Sequence, residues 1–376
     1  MPLAVVARID FSGRLSLTIF QDFSMFFQGK KEVIGIDIGS SSIKLVQLRE
    51  TKAGYQIVNL GIGPLPPEAI VDNAIMDSSA VVETIQNLIR GLEIKTKNVA
   101  TSISGHSVII RKIQLPIMTE EEMESSIQWE AEQYIPFEIS EVNLDFQIIG
   151  PDEKDPAQMN VILVAAKKDF VNDYVAVFKE AGLNPVVMDI DCFALENVFE
   201  ANHGSETDEV IGLLNMGASA MNVNVIKEGV SVFTRDIQVG GNMFNEEIQK
   251  RLGMSSEDAE KAKLGVVFED VTSEAIQEVI EDAVENLSQE VQRSLDFFSA
   301  TSADEKVHKL FITGGVAKTP QVKTVLEGRL GIPVEVFNPF QKIIASPDEF
   351  DPDYIESIGP LLSVAAGLAM RRMGDK

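Results

Sequence analysis

The chain has 376 residues, 45% of them hydrophobic and 24% charged, a globular balance long enough for two domains. Its formal net charge of −26 disfavours nucleic acid and direct adhesion to an anionic membrane, since both attract proteins through Lys and Arg. One cysteine, Cys192, and three scattered histidines, His106, His203 and His308, exclude a disulfide framework, a zinc cluster and a histidine-based catalytic triad.

In chain order, residues 1–24 lack a signal peptide, because no basic region precedes the apolar run and Asp10 and Arg14 interrupt it. Met25, followed by FFQGKKEVIGIDIG, reads as the true start, with residues 1–24 an extension or an upstream-start artefact and the whole stretch 1–31 expected to be disordered; an ordered extra strand, LSLTIF, is the alternative. Residues 33–39 are an Ile-rich run ending at Gly39, the pattern of a buried strand. A Gly/Ser turn leads to a second strand at 43–49, and Ala53-Gly54 to a third, YQIVNLGIG. Residues 78–91 have helical spacing with a serine at the start, and VATSISG and SVIIRKIQLP follow as strands. Thr119 and Glu122 form a capping box for a helix over 119–135, ended by Pro136. LDFQIIG, NVILVAAK and PVVMDI read as strands, with a helix at 168–181, so that 113–190 is expected to be an inserted αβ subdomain.

The opening pattern then returns. VIGLLNMGASAMNVNVI at 210–226 is again strand, small-residue turn, strand, and it aligns Asn215-Met216-Gly217 with Asp37-Ile38-Gly39. Helices follow at 242–252, 255–264 and 273–299, then VHKLFITGG as strand and Gly-rich turn, and a closing helix at 354–372. No stretch reaches the roughly 18 consecutive apolar residues of a membrane span.

A strand–Gly–strand turn points backbone N–H groups outward, a concavity suited to phosphate oxygens. One such turn is weak evidence, because hairpins use Gly and Ser anyway. Two copies in duplicated halves can close on one polyphosphate from opposite sides. Asp37, beside the first turn, suits Mg²⁺ or its waters, and Lys44 on the returning strand suits the phosphates; a turn-capping aspartate and a solvated lysine are the plainer readings. Gly240-Gly241 precedes a helix whose N-terminus can face phosphate, and Gly314-Gly315 permits close approach of a flat ring. There is no GxxxxGK[ST], so the chain is not a P-loop NTPase.

The order of these features, with EDAEKAK at 257–263 between the second turn and ITGG at 312–315, resembles the actin, Hsp70 and sugar-kinase superfamily. Within it the chain looks like the PilM proteins of type IV pilus assembly, relatives of FtsA. MFFQGKKEVIGIDIGSSSIKLVQL, SSIQWEAEQYIPFEISEVNLDFQII, GVSVFTRDIQVGG and VQRSLDFF carry that likeness. The resemblance implies an α/β, actin-like duplicated ATPase-domain fold, with two lobes around a nucleotide cleft and an FtsA/PilM-type inserted subdomain. It implies a first subdomain at 32–112 and 337–376, the insertion at 113–190 and a linker helix at 191–208. The second lobe would comprise 209–235 with 306–336, plus a small helical part at 236–305.

It further implies ATP and Mg²⁺ as ligands. Asp37 would hold the metal through water, with Asn215 a weaker partner. Gly39, Ser40, Ser41, Lys44, Gly217, Gly240 and Gly241 would contact phosphates, and Glu260, Lys263, Gly314 and Gly315 ribose and adenine. The superfamily's second aspartate is here Asn215, which puts hydrolysis in doubt; Asp189 and Asp191 are the remaining candidates for positioning water, or else they cap the next helix. The implied partner is the N-terminal cytoplasmic tail of a PilN-like inner-membrane protein. It would lie in a groove that Ile127, Glu130 and Tyr134 line, unless Ile127 and Tyr134 are simply core. The expected role is a cytoplasmic, ATP-dependent scaffold recruited to the inner membrane and contacting other pilus components. A sugar or small-molecule kinase lacks a convincing general base here. An FtsA-like tethered filament would need a longer tail than AGLAMRRMGDK.

Overall fold

The computed structural model describes residues 33–152, 154–204 and 209–374. The expected extension at 1–31, with LSLTIF and the candidate start at Met25, lies outside them, as do residues 205–208 of the expected linker.

The first lobe opens on an antiparallel meander of β1 (Ile34–Ile38), β2 (Ser42–Thr51) and β3 (Gly54–Pro64). Ile34 and Ile36 of β1 are fully buried, as a central strand covered on both faces requires. A small hairpin of β4 (Ile70–Val71) and β5 (Ala74–Ile75) precedes α1 (Ser78–Gly91). The Asp77 carboxylate caps this helix by accepting the Ala80 N–H. The chain returns as β6 (Asn98–Ile103), parallel to β1.

The inserted subdomain is β7 (Val108–Pro116), α2 (Glu120–Ala131), β8 (Val142–Pro151) and β9 (Gln158–Lys167), an antiparallel sheet in the order β7-β9-β8. The Thr119–Glu122 capping box is formed in both directions. Met123, Ile127 and Ala131 of α2 share a core with Val161 and Leu163 of β9 that is separate from those of the lobes.

The insertion is shorter than the expected 113–190. The helix α3 (Lys168–Glu180) packs Phe170, Val171, Tyr174 and Phe178 into the first lobe's core, and β10 (Asn184–Ile190) pairs in parallel with β6. The strand ladder thus returns the chain to the first lobe after Lys167. The first sheet has the order β10-β6-β1-β2-β3. The expected linker helix is α4 (Asp191–His203), buried between the lobes.

The second lobe repeats the plan with β11 (Ile211–Met216), β12 (Met221–Lys227) and β13 (Val230–Ile237). The helices α5 (Asn242–Leu252), α6 (Ser256–Lys263) and α7 (Ser273–Thr301) follow, then β14 (Lys309–Thr313), α8 (Val322–Leu330) and β15 (Val334–Val336). Its order, β13-β12-β11-β14-β15, matches the first sheet strand for strand, with the same antiparallel and parallel pairings. The duplication read from the turns is therefore a duplication of whole sheets.

The closing segment is not one helix. It is α9 (Pro352–Ile358), a 3₁₀ turn over Gly359–Leu362, and α10 (Ser363–Ala369). Pro360 has no N–H to donate and its ring blocks the preceding turn, which breaks the helix. All seven residues of α10 are buried, packed against α4 and β1. Leu195, Phe199, Phe311, Phe337 and Leu362 form an apolar core joining the lobes, each side chain contributing about 1.5–3 kcal/mol on full burial. Among the described residues no helix is long and apolar enough to cross a membrane.

Candidate functional site

The two duplicated turns meet. Gly39 donates its N–H to Ser42 O at 3.1 Å, and Gly217 donates to Ala220 O at 2.9 Å, the same closure in each lobe. The Ser219 hydroxyl donates to the Ser40 hydroxyl at 2.9 Å, tying one turn to the other across the cleft. Beneath them lies a cavity of about 300 Å³, at the small end of the range for ligand pockets.

The first lobe brings Asp37, Gly39, Ser40, Ser41 and Lys44 to this cavity; the second brings Asn215, Gly217, Gly241, Glu260, Lys263, Gly314 and Gly315. Asp37 and Lys44 stand opposite each other in the β1–β2 ladder, with Nζ 3.3 Å from Oδ2 and both side chains about 85% buried. Lys263 is buried, its Nζ 2.5 Å from Glu260 Oε2, and Glu260 also accepts from Asn245 Nδ2 at 2.7 Å. Gly314 has φ +86°, and a Cβ there would collide with the Met216 carbonyl, so the turn after β14 needs glycine.

Gly240 and Gly241 act differently from the expectation. The N–H groups of Gly241 and Asn242 donate to Gly217 O at 2.9 Å and Ala218 O at 2.7 Å. The start of α5 is thereby docked on the second turn rather than left open for an anion. Gly240 lies behind that turn, outside the cavity lining, where a Cβ would stand 2.7 Å from both carbonyl oxygens.

The two candidate aspartates separate. Asp189 does not line the cavity; Arg371 Nε lies 3.1 Å from its Oδ2 in a buried ion pair. Asp191 does line it, at the first turn of α4. Burial, and then the nearby Asp37 charge, push its carboxyl up to about 7 against the opposing hydrogen bonds from Ser102 and Ser104.

Sequence reasoning missed several lining residues. Asn73 comes from the β4–β5 turn, Ser102 and Ser104 from the end of β6, and Tyr174 from α3, whose hydroxyl donates to Asn73 O at 2.8 Å. Their assembly is tertiary and leaves no spacing signal. Asn222 was findable: it stands opposite Asn215 as Lys44 stands opposite Asp37.

The proposed partner residues do not line an open groove together. Ile127 is buried against the inserted sheet and Tyr134 is half-buried beside it, because their spacing is that of the helix face covering the sheet. Glu130 is half-buried, and Trp129 is the large apolar side chain that α2 exposes, at 74%.

A cavity with two glycine turns and lysines from both lobes fits an anionic ligand. Its carboxylates ask for a cation beside that anion. Among the described residues no group of three or more His, Cys, Asp and Glu side chains is arranged to hold a metal, so a divalent ion here would lean on the ligand's own oxygens and Asp37.

The family model described as "Type IV pilus assembly protein PilM" matches residues 35–373. The chain belongs to the PilM family. The solved "PilM-PilN type IV pilus biogenesis complex" superposes with TM-score 0.81 at 30% identity, covering 91% of this chain and 99% of that one. Among curated proteins, FtsA of Enterococcus hirae is 23% identical over 84% of this chain and 80% of its own length. FtsA of Bacillus subtilis (strain 168) is 23% identical over 64% of this chain, and the matched stretch spans only 60% of that protein. The ethanolamine utilization protein EutJ of Carboxydothermus hydrogenoformans shares the fold alone, with TM-score 0.56 at 16% identity over 91% of this chain and 90% of its own. This PilM-family chain has the actin-like duplicated α/β fold with the FtsA/PilM-type insertion, and it is a PilM-like type IV pilus assembly protein.

Proposed function

We propose that the chain is an ATP-binding scaffold of the type IV pilus assembly machinery, acting at the cytoplasmic face of the inner membrane. The observation that carries the nucleotide part is the pair of Gly turns with matching closure, joined by Ser219 and Ser40 above a cavity with Lys44 and Lys263. Gly39, Ser40, Ser41, Lys44 and Gly217 would hold the phosphates, and Glu260, Lys263, Gly314 and Gly315 the nucleoside. Mg²⁺, when bound, supplies charge neutralisation between phosphate oxygens; Asp37 would hold it through water.

The neutral Asn215 argues for slow hydrolysis at most, since the second turn brings no carboxylate to orient water. Binding therefore works as a switch of conformation, biasing how the two lobes and the insertion sit. The partner side of the proposal is the N-terminal tail of a PilN-like membrane protein, by likeness to the PilM-PilN complex. Calorimetry with ATP, with and without Mg²⁺, tests the site. Pull-down with such a tail peptide, with and without ATP, tests the coupling. Absence of ATP binding at millimolar concentration removes the first claim. ATP-independent capture of the peptide removes the second.

A further inference from the structure

The second lobe carries its carboxylate two strands away from where the first lobe does. Across β1, β2 and β3 the paired row is Asp37, Lys44 and Ile62. The equivalent row across β11, β12 and β13 is Asn215, Asn222 and Asp236. These three side chains are linked. Asn215 Nδ2 donates to Asn222 Oδ1 at 3.3 Å, and Asn222 Nδ2 donates to Asp236 Oδ1 at 2.5 Å. The other oxygen of Asp236 leaves the lobe: it accepts the backbone N–H of Gly105 at 2.5 Å.

Gly105 sits in the connection from β6 to β7, the root of the inserted subdomain. The exit of that subdomain is beside it, where Lys167 donates its N–H to Ser107 O at 3.0 Å. The neighbouring Ser104 lines the cavity and accepts from Asn73 Nδ2 at 3.0 Å. Asn215 and Asn222 line the same cavity. One carboxylate thus connects the cavity wall of the second lobe to the root of the insertion. Asp236 is solvent-exposed, so water can replace its bonds and the connection can open.

We propose that Asp236 is a cross-lobe latch, a positioning residue that couples occupancy of the cavity to the orientation of the inserted subdomain through Asn222 and the Gly105 amide. The coupling half rests on the cavity being a nucleotide site; the latch itself does not. A ligand touching Asn215 and Asn222 alters the donor that holds Asp236, and with it the restraint on Gly105.

Hydrogen exchange of the full chain at residues 104–108 tests both halves. Without nucleotide, Asp236→Ala is expected to speed exchange at Gly105 about tenfold, the loss of one charge-assisted bond at an exposed site. Asp236→Asn, which keeps the shape and one acceptor, is expected to fall between. Unchanged exchange in both variants overturns the latch. With saturating ATP, wild-type exchange at 104–108 shifts, and the shift disappears in both Asp236 variants while ATP is still bound. A shift that persists in the variants, or bound ATP with no shift in the wild type, overturns the coupling. If the wild type binds no ATP, the nucleotide reading fails, and the nucleotide-free comparison alone decides the latch.

Discussion

Gly240→Ala tests whether the second turn is held by close backbone approach. A Cβ at residue 240 would stand 2.7 Å from the carbonyl oxygens of both Gly217 and Ala218, with no flexible side-chain end to move aside. The backbone must separate by roughly 0.7 Å to reach ordinary contact at 3.4 Å, an overpacking cost of about 1–3 kcal/mol. That separation also stretches the Gly241–Gly217 and Asn242–Ala218 hydrogen bonds, adding about 1 kcal/mol for each that is lost. The sum lies near 2–5 kcal/mol, concentrated in one turn. Because a two-lobed chain need not unfold in one step, the appropriate assay is native-state hydrogen exchange at 217–220 and 241–244, with ATP affinity measured alongside. Exchange there should accelerate and ATP binding weaken by tenfold or more. Gly328→Ala is the matched control. It lies inside α8 with nothing within 4 Å of the new Cβ, and should stabilise by about 0.5–1 kcal/mol. Protection at Gly241 and Asn242 equal to wild type in Gly240→Ala would refute the argument.

Asp37→Ala should weaken Mg·ATP binding at least tenfold while affecting ATP alone less, as read by calorimetry; equal losses would deny the residue a role toward the metal. Asn215→Asp should raise ATP turnover if missing charge limits it, and a phosphate-release assay showing no increase would move the limitation elsewhere. Asp191→Asn should stabilise the ligand-free protein by an amount that grows with pH. The folded carboxyl, raised to about 7 by burial and Asp37, stays protonated where the unfolded chain has ionised, so wild-type stability falls as pH rises from about 4 to 7 and then levels. A urea-midpoint gain that is flat or shrinking from pH 5 to 8 would contradict this.

Elements were more legible than their assembly. The Ile-rich β1 and the Gly/Ser turn after it announced a buried strand pair, and the copy at β11 announced the second lobe. The capping box of α2 marked Thr119 as the N-cap, whereas the helix ends at Ala131, short of the expected 135. Periodicity names an element but not the sheet it joins, which is why α3 and β10 were assigned to the insertion although they belong to the first lobe. The strands β4, β5 and β15 are two or three residues long, too short for any period. At the site, Asp37, Lys44 and the glycines follow from the turn chemistry. Asn73, Ser102, Ser104 and Tyr174 reach the cavity only because separate segments converge on it. Asp189 and Asp191, two residues apart, look equivalent on paper. The β10–α4 junction sends one to Arg371 and the other to the cavity.

The amide at residue 215 has a use that a carboxylate would not serve. Asn215 donates to Asn222 Oδ1, which leaves the Asn222 Nδ2 group turned toward Asp236. A carboxylate at 215 has no proton to donate, and it would compete with Asp236 for that same Nδ2 group. Asn222 would then be drawn back to the cavity, and the bond between Asp236 and Gly105 would lose its support on the second-lobe side. The first lobe shows the other solution: there a lysine faces the aspartate, the pair closes on itself, and nothing extends to β3 beyond Ile62. In this row the two sheets thus differ by a linked set of side chains, Asp37, Lys44 and Ile62 against Asn215, Asn222 and Asp236. One copy keeps its carboxylate at the glycine turn, and the other carries it on β13, where it accepts the Gly105 N–H at the root of the insertion. The amide at 215 thus turns Asn222 toward Asp236 and, through it, toward the Gly105 N–H of the first lobe.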